Sequence, residues 1–280
     1  MNSSQCGTGM AIHSSESESR EERQGGSASA RTVKSADRTT HLLEVLARSP
    51  CPLSLTELQR ELDWPKSSLY MLLQTLVARG WLQVEPRTGA YGVGVRALLA
   101  GTAYLDHDPV VQAASPVMSR LRLEIDETIH LARIDGADMV YLASRESQHH
   151  PRIFSRVGRR LPVHATSLGK ALLAVRTVYE VDALLPLRLP QLTENTVTDR
   201  NRLHQQLALF RERGYAFERE ENSVGLCCFA VALPYRRPAF EAISCSVPVE
   251  RLDAAHERRV VGALLDAARE ITQNLRRNGA

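Results

Sequence analysis

Apolar side chains repeat at the helical period in the segment LDWPKSSLYMLLQTLVARGW, residues 62–81. One face of the predicted helix has the spacing i, i+3, i+4, i+7 and consists of Leu69, Leu72, Leu73 and Leu76. The opposite face has no acidic residue and includes Ser67, Tyr70, Met71 and Gln74. The pattern predicts a helix that buries one face in a core and presents a polar, non-acidic face outward.

The neighbouring segments predict a small domain around this helix. TTHLLEVLARS has helical spacing, and Ser54 and Glu57 have the spacing of a capping box at the start of a second helix. Pro65 suits the first turn of the third helix and Gly80 its end. WLQV and AYGVG then read as short strands on either side of the turn EPRTG. Three helices followed by a hairpin, over residues 34–94, predict a winged helix-turn-helix.

A winged helix-turn-helix places its third helix in the major groove of DNA. We expect the start of this helix to contact phosphates, its next two turns to reach base edges, and the hairpin tip to meet the backbone or minor groove. The predicted DNA-binding residues are Thr56, Lys66, Ser67, Ser68, Tyr70, Met71, Gln74, Arg87 and Thr88. The same arrangement is also common in protein-interaction modules, so the pattern alone leaves both functions open.

The amino-acid composition excludes some classes of protein but does not by itself indicate a function. Residues 31–100 contain nine Lys and Arg against six Asp and Glu, which supplies modest attraction for phosphate. The five cysteines are scattered without a C-x-x-C pair, so neither a disulfide framework nor a zinc site is implied, and we predict no metal and no cofactor. No apolar run has membrane-spanning length and no signal core is present, which predicts a soluble, cytoplasmic protein without membrane contact.

Three further regions complete the predicted organisation. Residues 1–33 are rich in Ser, Glu, Gly and Arg, which predicts a disordered tail. Residues 95–108, VRALLAGTAYLDHD, predict a linker helix that joins two domains. Residues 109–280 alternate helical segments with strands such as TIHLARID, DMVYLAS, RLPVHA, FAVALPY and FEAISCSV, and an Asp-Gly turn at 135–136 predicts a hairpin. An α+β domain with an antiparallel sheet follows.

Several long motifs resemble the IclR family of bacterial transcription regulators. They are LSLTELQRELDWPKSSLYMLLQTLVARGWLQVEPRTGAYGVG (53–94), VGRRLPVHATSLGKALLA (157–174), RERGYAFEREENSVGLCCFAVAL (211–233) and FEAISCSVPVERL (240–252). The resemblance implies a GAF-like effector-binding and oligomerisation domain over 109–280, dimer contacts through the linker helix, and a homodimer or dimer of dimers on an operator in double-stranded DNA.

A ligand site is expected near Thr166 and Ser167, because the free N–H groups at a helix start suit a carboxylate. The resemblance places the effector in the same region. Carried over position by position, the implied pocket residues are Ser167, Leu168, Glu218, Leu226, Cys228, Ser244 and Ser246. Hydroxyls, backbone N–H groups and one carboxyl suit a small organic acid or a similar polar metabolite.

The resulting hypothesis is a ligand-responsive, DNA-binding transcription regulator of a catabolic or metabolic operon, with repression as the more frequent mode in the family. Two alternatives remain. One is an enzyme on the C-terminal fold, with Cys228 as nucleophile and His164 as base; the other is a DNA-binding protein whose second domain only assembles it. An accessible, acidified thiol is required for the first. A metal site at Glu146, His149 and His150 is disfavoured, because an HH pair beside a proline is usually an exposed loop.

Overall fold

The computed structural model describes residues 32–148 and 156–279, and the chain divides into two compact units between Gly94 and Val95. Residues 1–31 of the predicted tail, together with His149 and His150, lie outside the described residues. Each unit is described by itself below. Among the described residues, no helix is long and apolar enough to cross a membrane.

The N-terminal unit contains the three predicted helices and the hairpin. Its elements are α1 (Lys34–Arg48), α2 (Leu55–Leu62), α3 (Lys66–Ala78), β1 (Leu82–Val84) and β2 (Tyr91–Val93), with β1 antiparallel to β2. Leucines from all three helices, including Leu42, Leu58 and Leu69, are fully buried in one core. The winged helix-turn-helix prediction is therefore confirmed.

Local signals fix where these helices begin and end. The capping box is present: Ser54 Oγ accepts from the Glu57 amide at 3.2 Å, and Glu57 Oε2 accepts from the Ser54 amide at 2.7 Å. Gly80, with φ +74°, follows the end of α3 as expected. Pro65 precedes the first residue of α3 instead of opening it, and its carbonyl accepts from the Leu69 amide.

One strand contact was not visible in the sequence. Leu53, which immediately precedes the capping box of α2, pairs with Tyr91 of β2 through two backbone hydrogen bonds of 2.9 and 2.7 Å. This pairing attaches the turn before α2 to the wing. It holds the wing against the helices, because the same residues also border the leucine core.

The C-terminal unit is an α+β domain built on one antiparallel sheet. Its helices are α4 (Val95–His107), α5 (Pro109–Ile125), α6 (Ser167–Ala174), α7 (Val178–Leu184), α8 (Arg200–Arg213) and α9 (Ala254–Arg277). Its strands are β3 (Thr128–Asp135), β4 (Asp138–Arg145), β5 (Arg160–Pro162), β6 (Ala216–Arg219), β7 (Leu226–Ala232) and β8 (Glu241–Pro248). The strand order is β5-β4-β3-β8-β7-β6.

The two faces of this sheet are covered by different helices. On β8, Ile243, Cys245 and Val247 alternate into a core shared with α5 and α9. Ala242 belongs to a second core on the opposite face, which is formed with α6 and α8. Ser244 and Ser246 are two and four residues from Ala242, so their side chains lie on the same face of the sheet as Ala242. This is the face that α6 covers.

Several predicted boundaries were wrong. The segment RLPVHA is a strand only to Pro162; its partner β4 begins at Asp138, opposite Pro162, so Val163–Ala165 has no strand to pair with and forms a 3₁₀ turn. The β3–β4 loop is Gly136–Ala137, one residue later than predicted, with Gly136 at φ +59°. Strand β6 and helix α7 were not predicted, because four and seven residues are too few for a clear period.

Helix α4 matches the predicted linker segment, and none of its residues is buried. Val95, Leu98 and Leu99 are each more than half exposed, and Tyr104 nearly half. Leu105 packs against the core of the C-terminal unit. Apolar side chains on an amphipathic helix are usually buried against another surface, and these side chains of α4 are not.

Candidate DNA-binding surface and effector site

Helix α3 has one buried face and one exposed face, as the sequence predicted. Leu69, Leu73 and Leu76 are buried, while Tyr70 and Met71 are 48% and 71% exposed. Lys66, Ser67 and Gln74 are also exposed on the same side. The exposed face is therefore free to contact a partner along two helical turns, and it has no acidic side chain.

Two predicted DNA-binding residues have additional neighbours. Ser68 donates its hydroxyl to the Pro65 carbonyl at 2.9 Å, and Ser68 and Met71 line a shallow groove of about 590 Å³ with Val33 and Arg38 beside α1. Ser67 and Gln74 do not line this groove. On α3, Ser67 and Gln74 therefore lie on a different side of the helix from Ser68 and Met71, which border α1.

The remaining predicted contacts are at the wing and in α2. Arg87 and Thr88 are exposed at the hairpin tip, where Gly89 has φ +68° and Thr88 Oγ accepts from the Ala90 amide at 3.3 Å. Thr56 is exposed in the first turn of α2. All nine predicted positions belong to one small unit with three exposed surfaces, which are the α3 face, the wing tip and the start of α2.

Three of the seven implied effector residues come from one row across the sheet. Glu218 of β6 pairs with Cys228 of β7, Cys228 pairs with Ser246 of β8, and Ser246 pairs with Thr128 of β3. Residues opposite each other on paired strands have side chains on the same face. Cys228 Sγ lies 3.2 Å from Ser246 Oγ. The register therefore brings together four polar side chains that are far apart in the sequence.

A second polar row adjoins the first. Ser244 pairs with His130 of β3, and His130 pairs with Ser144 of β4. His130 Nδ1 lies 2.9 Å from Ser144 Oγ, and the His130 ring meets the Tyr141 ring edge to face at 5.0 Å. Thr128, His130 and Ser144 were missed by sequence analysis, since only strand register reveals that they neighbour the implied residues.

The start of α6 borders the same face of the sheet. Thr166 caps α6 by accepting from the Gly169 amide at 3.1 Å, and Ser167 is the first helical residue. Helix α6 contacts β6, β7, β8 and β3. Ser167 is buried, while Leu168 is part of the apolar core beneath the helix, and Leu226 is half-buried opposite Pro248.

Glu218 is held by the loop that follows its strand. Its side chain is 1% exposed, and Glu218 Oε2 accepts from the amides of Glu221 and Asn222 at 2.8 and 3.4 Å. Burial raises the pKa of the Glu218 carboxyl to about 7, and hydrogen bonds from Cys228 and these amides only partly oppose the shift. Glu218 thus changes charge near neutral pH inside the polar row.

A buried ion pair between α6 and the loop after β6 also holds that loop in place. Lys170 of α6 is fully buried; its ammonium contacts a carboxylate oxygen of Glu221 and donates to Gln206 Oε1 at 2.9 Å. The other Glu221 oxygen accepts from the Val197 amide at 3.1 Å. Burial lowers the pKa of Lys170, although Glu221 acts in the opposite direction. The lysine of the SLGK motif therefore forms a buried ion pair with Glu221.

Cys228 and Cys245 do not have the properties of nucleophiles. Burial raises the pKa of the Cys228 thiol well above its usual range, and the nearby Glu218 adds to the shift. Burial likewise raises the pKa of Cys245. The Nε2 atom of His164, the proposed base, lies 2.9 Å from the Pro190 carbonyl oxygen, and burial lowers the pKa of this histidine. An acidified thiol beside a free base is what covalent catalysis requires, so this geometry opposes the enzyme alternative.

No group of three potential metal-ligating side chains occurs within residues 32–148 and 156–279. The candidate of Glu146 with His149 and His150 lies partly outside these ranges. The prediction that no metal is bound stays a prediction.

The titration of Glu218 predicts a pH-dependent stability. Because its folded-state pKa of about 7 is above the ordinary 4.5, the folded chain holds a proton there that the unfolded chain has released. The free energy of unfolding should therefore fall as pH rises from about 4.5 to 7. Glu218→Gln, which keeps an acceptor for the loop amides, should remove this contribution.

Urea unfolding at pH 5 and pH 8 measures the effect. The buried His164 titrates with the opposite sign, so the quantity to compare is the difference between variant and wild type at each pH. Glu250→Gln, at an exposed carboxyl, is the matched control and should give no such difference. Equal pH dependence in wild type and Glu218→Gln would contradict the prediction.

The two units, a winged helix-turn-helix and an α+β domain, are those expected of a ligand-responsive transcription regulator. Comparison with known proteins agrees. The family model for the IclR helix-turn-helix domain matches residues 35–86, and the model for the bacterial transcriptional regulator IclR C-terminal domain matches residues 102–273. The chain belongs to the IclR family of bacterial transcriptional regulators.

Relatives match along nearly the whole chain. The HTH-type transcriptional regulator BhcR of Paracoccus denitrificans is 33% identical, with 86% of each chain covered. The transcriptional repressor IclR of Escherichia coli is 31% identical over 86% of this chain and 89% of its own. The crystal structure of a regulator from Rhodococcus sp. RHA1 superposes with a TM-score of 0.74 at 27% identity, covering 87% of this chain and 98% of that one.

Proposed function

We propose that the protein is a ligand-responsive repressor that binds an operator through α3 and the wing and senses a small organic acid in its C-terminal unit. The observation on which this rests most directly is the α3 face, where exposed side chains, none of them acidic, lie opposite a buried leucine face. The repressor mode is proposed because the related IclR of Escherichia coli is a transcriptional repressor. The units themselves are those of the family.

The proposed assembly is a homodimer, or a pair of such dimers, with α4 in the dimer contact. Helix α4 has four large apolar or aromatic side chains in solvent, and burying them against a second copy would remove that surface from water. A two-fold dimer presents two α3 helices, which suits a pseudo-palindromic operator with half-sites about one helical turn apart.

The proposed effector site is the polar row of Glu218, Cys228 and Ser246 with the start of α6. Hydroxyls and a carboxyl that can be neutral near pH 7 suit hydrogen bonding to a small oxygenated ligand. Ser167, Leu168, Leu226 and Ser244 complete the proposed contacts. A carboxylate ligand would favour protonated Glu218, so its affinity should weaken above neutral pH.

Contacts of Arg133 offer a route from this sheet to α4. Arg133 of β3 binds Asp108, the N-cap of α5, at 2.7 Å and Glu241 of β8 at 2.5 Å. It also contacts the hydroxyl and ring of Tyr104 on α4. A shift of β3 or β8 on ligand binding would therefore alter the contacts of α4. A coupling of about 1–3 kcal/mol is typical between linked sites.

Two substitutions on α3 test DNA binding. Lys66→Ala should weaken binding to all sequences and lower the salt slope by about 1, because it removes a phosphate contact. Gln74→Ala should instead reduce discrimination at one base pair by about 1–3 kcal/mol, because it removes a base contact. Fluorescence anisotropy on duplexes selected from a random pool, over a salt series, measures both.

Gln205→Ala, at an exposed position of α8, is the control and should leave affinity and base preference unchanged. Footprinting of the selected duplex should give two protected half-sites. Wild-type affinity in both α3 variants would place the DNA contact elsewhere.

Thermal unfolding against a panel of aliphatic, aromatic and sugar acids tests the sensor function. A ligand should raise the unfolding midpoint in proportion to the logarithm of its excess concentration, and Ser246→Ala should reduce that shift while leaving operator affinity intact. Thr198→Ala, at an exposed hydroxyl, should leave the ligand shift unchanged. No shift across the panel would favour the alternative in which the second unit only assembles the protein.

A further inference from the structure

A cavity of the C-terminal unit lies away from the proposed effector residues. It measures about 830 Å³ and is bounded by α6, α8, α9, the end of β7 and the loop between β7 and β8. On β7 and α6 the proposed effector contacts lie near the start of each element, whereas this cavity adjoins Ala232 at the end of β7 and Ala174 at the end of α6. None of the proposed effector residues lines it.

The floor of the cavity is apolar. It is formed by small or hydrophobic side chains that are nearly buried, namely Ala171, Ala174, Phe210, Val231, Ala239 and Ala268. The volume lies within the range of about 300–1,000 Å³ that is usual for ligand sites. An aromatic or aliphatic body of modest size would fit against this floor.

The wall of the cavity is strongly basic. Arg211, Arg236, Arg237 and Arg269 line it, against one acidic residue, Glu180. The Glu180 carboxylate is already used at the start of α7, where it accepts from the amide and hydroxyl of Thr177 at 2.8 and 2.9 Å. It is therefore a poor partner for the arginines.

Most of these guanidinium groups have no carboxylate partner. Arg211 donates to the carbonyls of Ala174 and Arg176 at 2.7 and 2.9 Å, which fixes its position without neutralising its charge. Arg236 lies over the ring of Tyr235, and Arg269 pairs with Asp266 at an exposed position. Within residues 32–148 and 156–279, neither Arg211, Arg236 nor Arg237 forms an ion pair with a carboxylate.

From this combination we infer a second binding site, for an amphipathic organic anion with an aromatic or short aliphatic body and a carboxylate or sulfonate head. The apolar floor would cover the body. The planar guanidinium groups of the β7–β8 loop would bind the oxygens of the head, because their donors match the geometry of a planar or tetrahedral anion.

The probe for this site is 8-anilinonaphthalene-1-sulfonate, an aromatic anion whose fluorescence rises on burial. The double variant Arg236→Gln and Arg237→Gln should weaken its binding to the full-length protein at least about tenfold, because hydrogen bonds to charged groups are lost. The control, Arg188→Gln with Arg258→Gln, removes the same charge at exposed positions outside the cavity and should retain wild-type affinity.

A second variant tests the cavity volume without touching the charges. Val175 is half-exposed and lines the cavity, so Val175→Trp should fill part of it and reduce binding of the probe while the protein stays folded. Ser246→Ala in the proposed effector site should leave this binding unchanged. Neutral 1-naphthalenemethanol should compete poorly, and 1-naphthoate should compete well.

Equal probe affinity in the double arginine variant and in its control would overturn the inference. So would loss of binding in Ser246→Ala but not in Val175→Trp, which would place the probe in the effector site. Sedimentation velocity completes the test: if the double arginine variant changed the oligomeric state of the full chain, the surface would be an interface between copies and not a ligand site.

Discussion

Replacing Lys170 by methionine should lower the free energy of unfolding of the C-terminal unit by about 3–5 kcal/mol, because it leaves the buried Glu221 carboxylate without its cation. Lys170 is fully buried and Glu221 nearly so. Methionine retains most of the side-chain stem, so lost packing contributes little. The pair also adjoins Glu218, because the Glu218 carboxylate accepts a hydrogen bond from the Glu221 amide.

The double variant Lys170→Met with Glu221→Gln separates charge from packing. It removes both charges and keeps an acceptor for the Val197 amide, so it should recover a large part of the loss. Arg269→Met breaks an ion pair that is 72% exposed on both sides, and it should cost less than about 1 kcal/mol.

Circular dichroism during urea unfolding is the suitable measurement. Both tryptophans, Trp64 and Trp81, are in the N-terminal unit, so their fluorescence reports on that unit and serves as an internal reference. A loss for Lys170→Met no larger than that for Arg269→Met would show that the buried pair does not stabilise the fold.

Gly169→Ala should destabilise the same unit by about 1–3 kcal/mol or more, because overpacking forces the surroundings to move. A Cβ atom on Gly169 would overlap the Val163 carbonyl oxygen and Cα, which are backbone atoms that cannot rotate away. Helix α6 contacts the 3₁₀ turn at this point, so the substitution should displace the start of α6 from that turn.

Gly262→Ala is the matched control, since Gly262 is inside α9 and an added Cβ would meet no atom within 4 Å. It should stabilise the protein by roughly 0.5–1 kcal/mol, the usual preference for alanine inside a helix. Thermal unfolding of the two variants should therefore shift in opposite directions. A Gly169→Ala protein as stable as wild type would mean that α6 can shift without cost.

The N-terminal unit was predictable from the sequence because its signals are local. The leucine spacing of α3, the capping box at Ser54 and the Gly80 stop all act within a few residues, and the structure has each of them. The α+β class of the second unit was also predictable from alternating segments. The choice of Ser167, Glu218, Cys228 and Ser246 came from resemblance, and their roles stay predictions.

The tertiary structure decided what no local pattern contains. The strand order β5-β4-β3-β8-β7-β6 joins strands from both ends of the domain, and only its register aligns Glu218, Cys228, Ser246 and Thr128 in one row. The burial of Lys170 and the arginine-lined cavity likewise depend on packing between distant segments. Helix periods and caps are set by short-range sterics and hydrogen bonds, whereas register and cavities are set by contacts between residues far apart in the chain.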